Sequence, residues 1–516
     1  MYSTSSSGTT PRAKPRGSLA ALGFSKDSGL ATGEASVGSG YSSVRLSTAT
    51  ASIRRSVLSM LSGHSDDAIV LDVGNWAIRA GFAGDSRPAC IVRVCPSVRF
   101  GCVSCEGEDK LRVIWSGNEG ISEAPWVADD PDRLESLLCH VLSEIYSRHL
   151  LTDSKVRKVI VVESPLLSIP FKRALARAIL DYMRVPAITW FPASAMSLLT
   201  TGSTTGLVID CGHTETTVVP VFEGTPLFSY MASTPLAGKA LRDTLRGLLL
   251  AHATYRIVGR SISASQSGRQ QGQQALHPSL LTPELLQRIQ TTLLVACPWS
   301  PQYSSHELFD EDSINEWYQT NSNVSTLTIS TRLTTDIALR VLSRDQLSLI
   351  SASDLSSLRA KVTIPGWVRD RAVDTLFNGD TVGDRPGIIP TALEAIARSP
   401  VDIRRRLVGT LVVVGGAADM PQFRVAVLQK LVRLLRNDPR WKALADDVKL
   451  AEENTDGSGY LFQPSLRPWV GGSLAGSARI EGLHSSTSSG AGGQQSSAVP
   501  DWSYPVTSAA TNATTV

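Results

Sequence analysis

Two stretches of this chain repeat one local design. Residues 68–84 read AIVLDVGNWAIRAGFAG, and residues 207–224 read LVIDCGHTETTVVPVFEG. Each opens with an apolar run, breaks at an Asp-x-Gly triplet and resumes as an apolar strand; the triplets are Asp72-Val73-Gly74 and Asp210-Cys211-Gly212. A near-continuous apolar run is what a strand buried on both faces requires. A carboxylate at the lip of such a strand, followed by a tight Gly turn, gathers charge and N–H groups at one point, which suits a cation and a phosphate. A pair of such hairpins predicts two similar α/β domains facing each other across a cleft, each clasping one side of a nucleotide's phosphates. The plainer reading makes Asp72 and Asp210 strand-end turn formers alone.

The remaining apolar pattern between about 67 and 480 fits that frame. RKVIVVES (157–164) reads as a buried strand, and the following segment as a helix opened by Pro170 with Phe171, Leu175 and Ile179 on one face. PAITWF (186–191) is a short strand, and 192–202 a helix ended by Gly202. Farther on, GTLVVVGG (409–416) predicts a strand and a Gly-Gly turn, then a helix starting near Pro421 with Phe423, Val427, Leu431 and Leu434 inward. Gly415-Gly416 lets a flat ligand approach the backbone, or is a plain tight turn. WVGGSLAGS (469–477) reads as a second Gly-Gly turn before a small-residue helix. Residues 255–335, rich in Gln, Ser and Thr, read as a loop-heavy insertion with a helix near 283–295.

Composition narrows the classes. At 516 residues the chain has room for two or more cores, and 42% hydrophobic with 19% charged residues is ordinary for a globular protein. A net charge of +3 gives no reason to expect nucleic acid or an acidic membrane surface as a partner. No apolar run reaches the roughly 18–20 residues that span a bilayer. Seven cysteines, an odd number, argue against a disulfide framework and for a reducing compartment. Cys90, Cys95, Cys102 and Cys105 cluster, but with loose spacing and no His nearby they read as thiols rather than a zinc site. The first 65 residues hold 17 serines and read as a disordered tail, with a mitochondrial transit peptide as the rival reading. The segment from about 481 is again Ser/Gly/Thr-rich and contains one anchor-like island, VPDWSYP (499–505), whose Trp502 and Tyr504 can dock on a surface.

The ordered set Asp72-Val73-Gly74 with RAGFAGD (79–85), VIVVESP (159–165), STTGLVIDCG (203–212), PVDIRRRLVGTLVVVGG (400–416) and WVGGSLAG (469–476) resembles the actin family. The likeness covers roughly 67–255 and 335–480. It implies an α/β actin-like fold, two similar α/β domains around a nucleotide cleft. The domains would be 66–205 and 206–480, the second with the insertion at about 255–335, between disordered tails at 1–65 and 481–516. Within the family, IYSRHLL (145–151), PLAGKAL (235–241) and PDW (500–502) are closer to the divergent actin-related branch at the pointed end of dynactin. That implies other dynactin subunits as partners, dynein indirectly, a cytoplasmic and cytoskeletal location, and neither nucleic-acid binding nor membrane insertion.

Carried over residue by residue, the resemblance implies ATP or ADP with Mg held through Asp72, Gly74, Asn75, Arg79, Asp210, Gly212, Gly415 and Gly416. Asp72 and Asp210 would hold the metal through water. The departures are as telling. Trp76 stands where the family has Gly, Asn75 where it has Ser, and Arg79 where it has Lys. His213 stands for an Asp, Thr217 for the His that organises the attacking water, and Ala193 for the hydrolytic Gln. Gln290 falls near the position of a Lys at the adenosine. Groups that position water and accept a proton are typically worth on the order of 10²–10⁴ each in rate. Losing several implies weak or static nucleotide binding, or an empty cleft, with no useful hydrolysis. An active actin-like ATPase and a nuclear subunit of a chromatin-remodelling complex are the alternatives. Trp76 and Trp469 read as core anchors, His213 as a surface or hydrogen-bonded residue, and Arg404, Arg405 and Arg406 as a solvated helix face.

Overall fold

The computed structural model describes residues 68–93, 131–258, 274–296, 320, 324–342, 358–380, 384–451, 462–486 and 499–501. The Ser-rich segment 1–65, Cys95, Cys102, Cys105, Trp502, Tyr504 and most of the Gln/Ser-rich part of the insertion lie outside them.

The first hairpin, β1 (Ile69–Val73) and β2 (Ala77–Phe82), continues antiparallel into β3 (Cys90–Arg93). On its other side β1 runs parallel to β4 (Val159–Glu163), and β4 parallel to β5 (Ala187–Pro192). Every residue of β1 and β4 is buried because both sheet faces are covered. Ile69, Leu71, Val159 and Val161 point to one core with Phe171 and Leu175 of the helix Ile169–Arg177 and Ile179 of the π-helical segment Ala178–Tyr182 that continues it. Val70, Ile160 and Val162 point to the other, where the helix Arg467–Ser477 places Trp469, Val470 and Ala475. This period-two split of an all-apolar run is how a two-sided strand works.

The second hairpin is β6 (Gly206–Cys211) and β7 (Thr216–Phe222), with the two-residue β8 (Thr225–Pro226) and β9 (Ala232–Thr234) both pairing with β7. The third sheet is built from the insertion and the segment C-terminal to it: β10 (Thr254–Val258), β11 (Gln274–Ala275), β12 (Leu327–Arg332) and β13 (Arg359–Ile364), in the order β11-β10-β13-β12. The ends of the insertion are therefore strands, and its helix spans Pro283–Thr292. β14 (Gly379–Asp380) and β15 (Arg385–Pro386) form a small ladder. β16 (Leu411–Val414) then pairs parallel with β6. Finally β17 (Leu483–Ser486) adds antiparallel to β5, so residues 467–486 return to the first sheet. All described residues belong to one compact unit, and no described helix is long and apolar enough to cross a membrane.

Some expectations need correction. Gly471 and Gly472 are not a turn; they lie inside the helix Arg467–Ser477. A Cβ at Gly471 would stand 2.0 Å from the Met196 carbonyl oxygen, and one at Gly472 would stand 2.5 Å from a Val162 methyl. The glycines let this helix press against the helix Ala193–Leu199 on one side and the first sheet on another. The helix after β16, expected near Pro421, spans Phe423–Asn437, but Leu435, not Leu434, takes its last fully buried position. Trp469 is a core anchor as expected, fully buried and donating to the Val70 carbonyl at 3.1 Å. Arg404 is not simply solvated: its guanidinium lies over Trp441, 5.0 Å from the ring centroid.

Candidate functional site

The two hairpins share one hydrogen-bond plan. Asp72 pairs across the ladder with Arg79, and Asp210 with Thr217, seven residues on in both copies. Gly74 N–H donates to the Ala77 carbonyl and Gly212 N–H to the Glu215 carbonyl, each at 3.1 Å. The duplication read from the sequence is thus present down to the turn geometry. Between the hairpins lies a cavity of about 560 Å³ whose walls include Asp72, Trp76, Asp210, His213 and Gly416. That is the size of a small-ligand site.

The cavity brings together all eight residues expected to bind nucleotide: Asp72, Gly74, Asn75 and Arg79, then Asp210, Gly212, Gly415 and Gly416. Arg79 Nη1 donates to Asp72 Oδ2 at 2.8 Å, because the ladder sets the two residues opposite each other. Burial raises the pKa of Asp72 while Arg79 opposes the shift. Asp210 is pushed up to about 6 by burial and by the neighbouring Asp72 and Glu215, against Arg79. A carboxylate whose proton affinity is raised by a neighbouring carboxylate marks a place where a cation would be welcome. Among the described residues no group of three His, Cys, Asp or Glu side chains is spaced to hold a metal directly. A cation here would rely on these two carboxylates and on water. Cys90 joins no such group, and burial pushes its thiol up to about 11.

Gly415 has φ +90°, and a Cβ there would meet the Cys211 carbonyl oxygen at 2.2 Å and Asp210 Oδ1 at 2.7 Å. The close approach its glycine permits is therefore to the second hairpin itself. A Cβ on Gly416 would meet nothing within 4 Å. The helix Gly238–His252 docks its first turn on the second hairpin, with Gly238 N–H donating to the Gly212 carbonyl (3.1 Å) and Lys239 N–H to the His213 carbonyl (2.7 Å).

The positions tied to hydrolysis offer little chemistry. Ala193 is buried at the start of its helix, and Thr217 is buried opposite Asp210. His213 is held down at about 4 by burial, Arg242 and Lys239, so it is neutral at pH 7 and a weak base. Trp76, expected as a core anchor, instead lines the cavity, its ring 4.5 Å from that of His213. Gln290 is engaged: it accepts from Arg242 Nε at 3.1 Å and donates to the Gly238 carbonyl at 2.8 Å.

Arg242 and Thr214 were missed from the sequence. Arg242 lies four residues after Gly238, on the same helix face, which was the available signal for it. Thr214 accepts from Asn75 Nδ2 at 2.7 Å, across the cleft.

Comparison with known proteins agrees with this layout. Residues 63–292 match the actin family model. The chain carries an actin-family domain. The α/β architecture with its paired hairpins is the actin fold. Among similar proteins, Actin-related protein 10 of Dictyostelium discoideum is 30% identical over 203 residues, 38% of this chain and 42% of that protein. An actin-like protein of Neurospora crassa is 25% identical over 425 residues, 79% of this chain and 90% of that protein. Centractin of Saccharomyces cerevisiae is 26% identical over 192 residues, 34% of this chain and 48% of that protein. The matched region thus spans less than half of the Dictyostelium and yeast relatives. The family resemblance implies a nucleotide in this cavity. The carboxylate pair and Gly416 fit the cation and phosphate end of MgATP or MgADP. The buried Arg79 Nε, which has no hydrogen-bond acceptor, adds a donor there. Trp76 conflicts with the close backbone approach that a third phosphate needs.

Proposed function

We propose that this chain is a non-catalytic, structural actin-related subunit that caps the pointed end of the actin-related filament of dynactin and so supports dynein-based transport. The observation that carries the non-catalytic part is the set Ala193, Thr217 and His213. None of these positions an attacking water with a competent base beside it. The dynactin part rests on the subtype resemblance of 145–151, 235–241 and 500–502, and on relatives named Actin-related protein 10 and centractin.

In this reading the subunit works in the cytoplasm with other dynactin subunits, and its cleft has a static role. Asp72, Asp210, Arg79 and the glycine turns hold ADP or ATP with Mg loosely and do not turn it over. Bound magnesium would supply charge neutralisation at the two aspartates; the hairpin N–H groups and Arg79 would orient the phosphates.

Two measurements test it. Purified protein incubated with Mg·ATP is expected to release phosphate no faster than buffer, with actin as the positive control. Release that disappears in Asp210→Ala would instead establish an ATPase. Affinity purification of the tagged chain with mass spectrometry is expected to recover dynactin subunits, and recovery of none of them sinks the assembly role.

A further inference from the structure

The tips of the two hairpins touch. Trp76, at the tip of the first, packs its ring on that of His213 at the tip of the second, with centroids 4.5 Å apart and planes at 38°. On the Trp76 ring lies the guanidinium of Arg242, its central carbon 4.6 Å from the centroid. Arg242 is in turn fixed through Gln290 to the Gly238 carbonyl. Beside this stack, Asn75 Nδ2 donates to Thr214 Oγ1 at 2.7 Å, 139 residues away in sequence. The contacts run without a break from the first hairpin, over the second, to the helices Gly238–His252 and Pro283–Thr292.

These contacts are made by side chains alone, between the tips of the two turns. The contacts also work against the repulsion between the buried Asp72 and the half-buried Asp210 across the same gap, which Arg79 offsets only in part. An aromatic pair capped by a guanidinium supplies attraction that needs no ligand.

We propose that Trp76, His213 and Arg242, with the Asn75–Thr214 hydrogen bond, form an internal pin that closes this cleft in place of a ligand. A polyphosphate entering between the tips must first break the pin. The chain therefore keeps its closed form without nucleotide and binds nucleotide weakly. The pin accounts for two departures from the actin pattern at once: Trp76 and His213 are each other's partners.

The test uses the full chain, with Mg·ADP as the probe and thermal unfolding as the readout. Wild-type protein is expected to purify without stoichiometric nucleotide and to shift its midpoint by less than about 1 °C in millimolar Mg·ADP. Trp76→Gly, which places the family's residue at this position, is expected to lose several degrees without ligand. It should regain them on addition of Mg·ADP, with affinity at least about tenfold tighter than wild type. Arg242→Gln removes the cap without touching either hairpin and should move both readouts in the same direction by less. It decides the matter should the Trp76 variant not fold. Nucleotide released stoichiometrically from denatured wild type overturns the proposal. So does a wild-type midpoint strongly raised by Mg·ADP, or an Arg242→Gln midpoint equal to wild type. None of these outcomes depends on dynactin membership, which partner recovery tests separately.

Discussion

Lys172 Nζ lies 3.2 Å from Glu163 Oε1, and neither side chain reaches solvent. Lys172 also donates to the Pro500 carbonyl at 3.2 Å, and Val499 packs on the same core. The described part of the C-terminal island is therefore docked over a buried ion pair. Removing one partner of such a pair leaves a buried charge and typically costs about 3–5 kcal/mol. Lys172→Met is expected to destabilise by that order in urea unfolding, while Glu163→Gln with Lys172→Met recovers part of the loss. Truncation after residue 498 removes one acceptor and is expected to cost less, about 1–3 kcal/mol.

Gly415 and Gly416 are neighbours with opposite tolerance. Gly415 combines φ +90° with backbone 2.2 Å from where a Cβ would stand; Gly416 has neither constraint. Gly415→Ala is expected to destabilise by at least about 1–3 kcal/mol and to displace Asp210, whereas Gly416→Ala stays within roughly 0.5 kcal/mol of wild type. Parallel denaturant titrations check both.

How far the sequence revealed this arrangement differs from residue to residue. The β1, β4 and β6 strands were legible because burial on both faces forces a near-continuous apolar run. The duplicated Asp-x-Gly turns were legible because the same local geometry demands the same residues twice. Gly471-Gly472 was misread because adjacent glycines signal a turn under local rules, while their actual cause is tertiary: Met196 and Val162 lie within a methyl's reach. Trp76 was visible as an intrusion, but the direction of its ring depends on His213 and Arg242, which lie 137 and 166 residues later. No local pattern ties those three together.

Asp210 makes the folded chain less stable at neutral pH. Its carboxyl is pushed up to about 6 from an ordinary value of 3.8. The folded chain therefore holds a proton more tightly than the unfolded one. The cost of its ionisation builds as pH rises from about 4 to about 6 and is complete above that. At 1.36 kcal/mol per pH unit, this is on the order of 2–3 kcal/mol. Asp210→Asn is expected to raise the midpoint at pH 8 in EDTA and to abolish any stabilisation by Mg²⁺. A variant less stable than wild type in EDTA would mean that the carboxylate is engaged by partners rather than merely buried.

His213 predicts the opposite pH behaviour. Burial first, then Arg242 and Lys239, hold its imidazole at about 4 instead of 6.5. As pH falls below 6.5 the unfolded chain takes up a proton on this residue while the folded chain does not. Stability is therefore lost progressively from about pH 6.5 down to about 4, by at most about 3 kcal/mol. Asp210 works in the reverse sense over part of that range, so the wild-type profile alone is a sum of the two. The difference between wild type and His213→Asn isolates the histidine. Wild type should lose stability relative to the variant as pH drops from 6.5 to 4, with no relative change between 7 and 8. The His213 ring resonances in wild type should likewise titrate near 4. A titration near 6.5 would place the ring in solvent, away from Trp76.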